Sequence, residues 1–97
     1  MNDYIILYLL TGTRGGINRI QILKLLSNGN LNAHKIKEKL KIDYKTVQHH
    51  LRLLLKHRFV TTSNKYGALY LLTDEFKRHM NLFKEILAKV NKSIERL

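Results

Sequence analysis

The chain contains no cysteine, which removes disulfides, thiolate metal sites and thiol catalysis at once. Acidic residues are scarce. Seven Asp and Glu stand against 18 Lys and Arg, a formal charge of +11 on 97 residues. Seven scattered carboxylates offer little acid–base machinery, and no Ser/His/Asp order or carboxylate pair stands out, so the expectation is that the chain is not an enzyme. Long apolar runs are missing too. The longest, Tyr4 to Leu10, falls far short of the ~20 residues that a membrane-spanning helix needs. It has no basic segment before it and runs into Thr11-Gly12-Thr13-Arg14, which makes a poor secretory signal. The chain therefore reads as soluble and cytoplasmic, with no membrane partner and no cofactor.

What is present points to one folded domain spanning residues 1–97. Ninety-seven residues allow a single core, and 44% hydrophobic with 26% charged residues is an ordinary globular balance that speaks against wholesale disorder. So large a positive excess implies a polyanionic partner, with nucleic acid favoured over a membrane surface. The excess is concentrated. Residues 31–58 hold eight basic and two acidic residues, more than half of the net charge, together with four of the five histidines.

The stretch from Asp43 to Arg58 organises the rest. Asp43 suits an N-cap, because its carboxylate can accept the unpaired N–H groups of a first helical turn. Val47, Leu51, Leu54 and Leu55 then form one apolar stripe. Lys45, Gln48, His49, Arg52 and Lys56 lie on the other face, a donor-rich set suited to base edges and phosphates in a major groove. Taken alone, this is also what a plain amphipathic helix looks like. Its neighbours decide the matter. Asn32 caps a short helix over Ala33–Leu40 that turns Ile36 and Leu40 inward and Lys35, Lys37, Lys39 and Lys41 outward. So tight a connection to the next helix is the mark of a helix-turn-helix, whose first helix crosses the backbone while the second enters the groove.

Upstream, Ile17–Ser27 reads as an amphipathic helix with Ile20, Leu23 and Leu26 inward, supported by Ile17. Gly12-Thr13-Arg14-Gly15-Gly16 lacks the ending of a nucleotide-binding loop and reads as a flexible turn, with Arg14 a candidate phosphate contact. Residues 3–10 are apolar all round. A short helix started by Asn2-Asp3 is preferred to a strand, and part of it is expected to bury against a second subunit. Downstream, residues 59–63 and 68–72 read as two strands joined by Asn64-Lys65-Tyr66-Gly67, a hairpin with Lys65 and Tyr66 at its tip. Thr73-Asp74-Glu75 then opens a last helix over residues 73–97, in which Phe76, Met80, Phe83, Leu87, Val90, Ile94 and Leu97 alternate at spacings of four and three. At 1.5 Å per residue that helix is roughly 35 Å long, more than the domain body can cover, so its stripe is expected to pair with a second copy.

The fold class expected is mainly α with a small β-hairpin: a winged helix-turn-helix over residues 12–72 with a long C-terminal dimerisation helix. Residues 12–72 resemble the winged-helix regulators of the ArsR/MarR type, most closely their archaeal branch, where such proteins occur in cells and in viruses. Gly12-Thr13-Arg14-Gly15-Gly16-Ile17-Asn18-Arg19, the run Asp43-Tyr44-Lys45-Thr46-Val47-Gln48-His49-His50-Leu51 and Lys65-Tyr66-Gly67-Ala68-Leu69-Tyr70 carry the resemblance. It implies a homodimeric transcription regulator that binds a short inverted repeat of double-stranded DNA, in the host cytoplasm if the source is viral. Lys45, Gln48, His49 and Arg52 are then the base-reading candidates. Tyr44, Thr46, Lys56, Arg14, Lys35, Lys37 and Lys39 are the backbone candidates. Many ArsR-type proteins sense metal through cysteine pairs, which this chain lacks. His49, His50 and His57 share no face with a carboxylate, so no metal is expected. His50 is expected near the core and His49 outward. Non-specific DNA or RNA binding, or a winged helix that engages another protein, are the rival readings.

Overall fold

A computed structural model of the chain describes residues 1–63 and 68–95, with side chains through Lys92. The helices are α1 (Asp3–Thr11), α2 (Gly16–Ser27), α3 (Ala33–Leu40) and α4 (Tyr44–Lys56). A short hairpin, β1 (Val60–Thr62) and β2 (Tyr70–Leu72), follows, and then α5 (Asp74–Lys77) and α6 (Met80–Glu95). The strands pair antiparallel with Val60 opposite Leu72 and Thr62 opposite Tyr70. Leu31 adds two backbone bonds to Tyr70, so the segment before α3 is stitched to the hairpin.

Four helices start where a capping side chain stands in the sequence. Asn2, Asn32, Asp43 and Thr73 each accept the N–H of the residue three positions on, at 2.8–3.1 Å. Each such bond satisfies one of the orphan donors of a first turn, typically worth ~1 kcal/mol.

Helices and hairpin enclose one core. Ile20, Leu23 and Leu26 of α2, Ile36 of α3 and Val47, Leu51 and Leu54 of α4 are buried as their spacing requires. Phe59 stacks on Phe76 with ring centroids 5.1 Å apart, and Phe76 meets Phe83 edge-on at 5.5 Å. These offset and T-shaped pairs are the arrangements aromatic quadrupoles favour.

Three expectations need correction. The C-terminal helix is not continuous: it breaks at Arg78-His79, where His79 N–H bonds back only three residues to the Phe76 carbonyl at 2.9 Å. Phe76 and Phe83, on either side of that tightened turn, are both buried in the core, while the His79 ring meets the Asp3 carboxylate at 3.0 Å. Helix α1, apolar all round, is only partly covered by its own protomer. Ile6, Leu9 and Leu10 face in, whereas Tyr4, Leu7 and Tyr8 are exposed, Tyr4 by 73%. Ile17 is exposed rather than inward, because the buried face of the first turn of α2 is taken by Gly16, Arg19 and Ile20. The strands are shorter than read, covering residues 60–62 and 70–72, since regular pairing extends only three residues on each side. Among the described residues no helix is long and apolar enough to cross a membrane.

Candidate nucleic-acid interface

Helices α3 and α4 are joined through residues 41–43. Lys41 takes the left-handed conformation (φ 56°) and donates its N–H to the Lys37 carbonyl at 2.8 Å, closing α3. Asp43 then opens α4. Its carboxylate takes the Thr46 N–H at 2.9 Å and the Thr46 hydroxyl at 2.7 Å, and these bonds hold its pKa below the usual value. The cap fixes the first turn of α4, which is the part of such a helix that reaches base edges.

With its apolar stripe packed inward, α4 turns Lys45, His49, Arg52 and Lys56 to solvent, with Gln48 half-buried beside them. Tyr44 is exposed at the helix start. On α3, Lys35 and Lys39 are exposed and Lys37 is half-buried. Glu38, the one acidic residue of that helix, pairs with His34 at 2.7 Å and approaches Lys35 at 3.7 Å. Such exposed pairs are weak and leave Lys35 available to a stronger anion.

Some candidates lie elsewhere. The Thr46 hydroxyl donates to the Asp43 carboxylate and so supports the cap. Arg14 is exposed and lines an open groove of about 590 Å³ with Thr11, Ile17 and Val90, between α1, α2 and α6. Lys65 and Tyr66 fall outside the described residues. In the C-terminal set, Phe76 and Phe83 are taken up by the protomer's own core and drop out as interface side chains. Met80, Leu87 and Val90 are half-buried and keep an outward part, while the side chains of Ile94 and Leu97 lie outside the described residues. Among the described residues, no group of three or more His, Cys, Asp or Glu is placed to hold a metal ion.

One site residue was missed. Arg19 is only 2% exposed. Its guanidinium donates to the Leu9 carbonyl at 2.9 Å, the Thr13 hydroxyl at 2.6 Å and the Arg14 carbonyl at 3.1 Å, and it faces Nδ1 of His50 at 3.1 Å. Arginine carries donors only, so His50 Nδ1 accepts and the ring is the neutral Nε2–H tautomer. The sequence did hold a signal. Arg19 stands four residues before Leu23 and seven before Leu26, on the inward row of α2.

Burial, with Arg19 and His49 adding repulsion, lowers the His50 pKa to about 4. A group charged less readily in the folded state than in the unfolded one stabilises above its unfolded pKa of about 6.5. That stability drains away as pH falls from about 6.5 towards 4, at up to ~1.4 kcal/mol per pH unit. The urea midpoint is therefore expected to drop between pH 7 and pH 5, and His50→Asn to flatten that drop. An unchanged slope in the variant would assign the acid sensitivity to another group.

The geometry is that of a winged helix-turn-helix. Residues 18–62 match the family profile described as "Bacterial regulatory protein, arsR family". Several solved structures share the fold. A MarR transcriptional regulator from Methanosarcina mazei Go1 aligns with a TM-score of 0.69 and 19% identity, covering 84% of this chain and 62% of its own. The transcriptional regulator YodB from B. subtilis, in reduced form, aligns at 0.68 and 20%, covering 91% and 88%. Wild-type ZitR from Lactococcus lactis aligns at 0.56 and 25%, covering 81% and 58%. The chain thus spans about three fifths of the Methanosarcina and Lactococcus proteins. No curated protein sequence matches it. Residues 18–62 are thus similar to that family's helix-turn-helix, and the chain as a whole has the winged-helix fold.

Proposed function

We propose that the chain regulates transcription by binding double-stranded DNA sequence-specifically as a homodimer on an inverted repeat. The observation that carries this reading is the outward face of α4, where Lys45, His49 and Arg52 stand exposed, with Gln48 at their edge, on a capped and buried-backed helix. Arg52 suits a guanine edge, Gln48 an adenine edge, and the lysines of α3 suit phosphates. The wing tip, Lys65 with Tyr66, would reach the flanking duplex.

Pairing of two protomers would cover the apolar surface that one protomer leaves open. Tyr4, Leu7 and Tyr8 on α1, with the outward parts of Leu87 and Val90 on α6, form the proposed interface. Recognition helices of such a dimer would enter major grooves about 34 Å apart. Leu7→Glu places a charge on that face and is expected to turn a dimer into a monomer in light scattering. A wild-type monomer at micromolar concentration would refute the pairing.

Selection of bound duplexes from a random pool tests the recognition. Arg52→Ala is expected to lose on the order of 1–3 kcal/mol of discrimination at one base pair, whereas Lys37→Ala weakens all sequences alike. Equal affinity for unrelated duplexes, or a preference for RNA, would overturn sequence-specific binding.

A further inference from the structure

The buried Arg19 guanidinium touches two parts of the molecule with separate tasks in the proposed function. On one side lie the Leu9 carbonyl of α1 and the loop that follows, through Thr13 and Arg14. On the other lies Nδ1 of His50, on α4. Helix α1 bears the exposed apolar face and α4 the cationic one.

The electrostatics explain why this cation stays buried. Helix α1 has no basic residue in its own last turn, and Leu9 offers one of the carbonyls at its negative end. Arg19 supplies the complementary charge from α2. No carboxylate forms an ion pair with Arg19 among the described residues, so carbonyls, a hydroxyl and a neutral imidazole balance it. A buried charge held by so few acceptors tolerates little movement, because each lost bond leaves part of the desolvation cost uncompensated. Gly15 closes the remaining side. Its φ is +87°, and a Cβ there would stand 2.7 Å from Cε1 of His50 and 3.2 Å from Nη1 of Arg19.

We propose that Arg19 is a positioning residue which, through His50, locks α4 to the end of α1, so that this buried contact sets the half-site spacing a dimer accepts. The spacing part rests on the reading of the chain as a dimeric duplex binder. The lock itself is a property of the protomer.

Two variants at position 50 separate the acceptor from the bulk. His50→Asn places Oδ1 where Nδ1 stood, and His50→Leu fills the space with no acceptor. Hydrogen–deuterium exchange and duplex binding are measured on the full chain, with half-site spacing varied by single base pairs around one helical turn. His50→Leu is expected to speed exchange in residues 8–12 by about tenfold while the distant β1–β2 amides stay near wild type. It is also expected to weaken the preference for the best spacing by about tenfold, with His50→Asn close to wild type in both measurements. The lock is refuted if His50→Leu leaves residues 8–12 unchanged, if it loosens the whole chain evenly, or if His50→Asn behaves like His50→Leu. Its control of spacing is refuted if His50→Leu shows the local loosening yet keeps the wild-type spacing profile. If the wild type has no spacing preference, the dimer-on-duplex reading and this control of spacing fall together, and the exchange result still decides the lock.

Discussion

Gly16→Ala is expected to cost about 3 kcal/mol or more of folding free energy, at or above the usual range for overpacking. Gly16 begins α2 and lies directly against the end of α1. A Cβ at this position would press into the Leu10 carbonyl oxygen and stand 2.8 Å from its carbon. Both atoms are backbone, so no rotamer change relieves the clash and α1 must move off α2. Alanine gains at most ~1 kcal/mol over glycine in helix propensity, which the steric term outweighs. Against a total stability of roughly 5–15 kcal/mol, the loss is a large share. Urea unfolding followed by circular dichroism reads it directly, and a midpoint equal to wild type would show that the α1–α2 approach relaxes freely.

Arg19→Met comes next, with an expected loss on the order of 3 kcal/mol. Methionine keeps much of the volume but strips the donors from the Leu9 and Arg14 carbonyls, the Thr13 hydroxyl and His50 Nδ1. Each buried acceptor left bare costs ~1–3 kcal/mol, and relief of the buried charge returns part of the sum. Arg19→Lys is expected to recover little, because an ammonium cannot span acceptors laid out for a planar fork. A loss below ~1 kcal/mol for Arg19→Met would mean that water reaches these groups and the contact is dispensable. The two substitutions fall in the first turn of one helix, α2, where it meets the end of α1. They therefore also bear on why Gly15-Gly16, read from the sequence as a turn, admits no side chain.

Much of the helix-turn-helix was legible because its signals are local. Asn32 and Asp43 sit where caps must sit, and the stripe from Val47 to Leu55 names the buried side of α4. The outward set of Lys45, His49 and Arg52 followed from the same periodicity. His50 beneath the helix was read correctly on the same ground. The bond from the Thr46 hydroxyl to Asp43 was not read from the sequence, because a hydroxyl in a first turn has several possible partners.

The C-terminal stripe shows where such reading stops. Heptad spacing marks which side chains share a face, but not whose core that face enters. Phe76 and Phe83 went to their own protomer once Phe59 and the turn at Arg78-His79 were in place. Caps, amphipathic periods and the concentration of positive charge are properties of neighbours along the chain, so the residue order alone determined them. The enclosure of Arg19, the need for a bare Cα at Gly16 and the open side of α1 arise where segments distant along the chain meet. Only the packed tertiary structure decided those, because a hydrogen bond or a clash exists only once both partners have been brought to the same place.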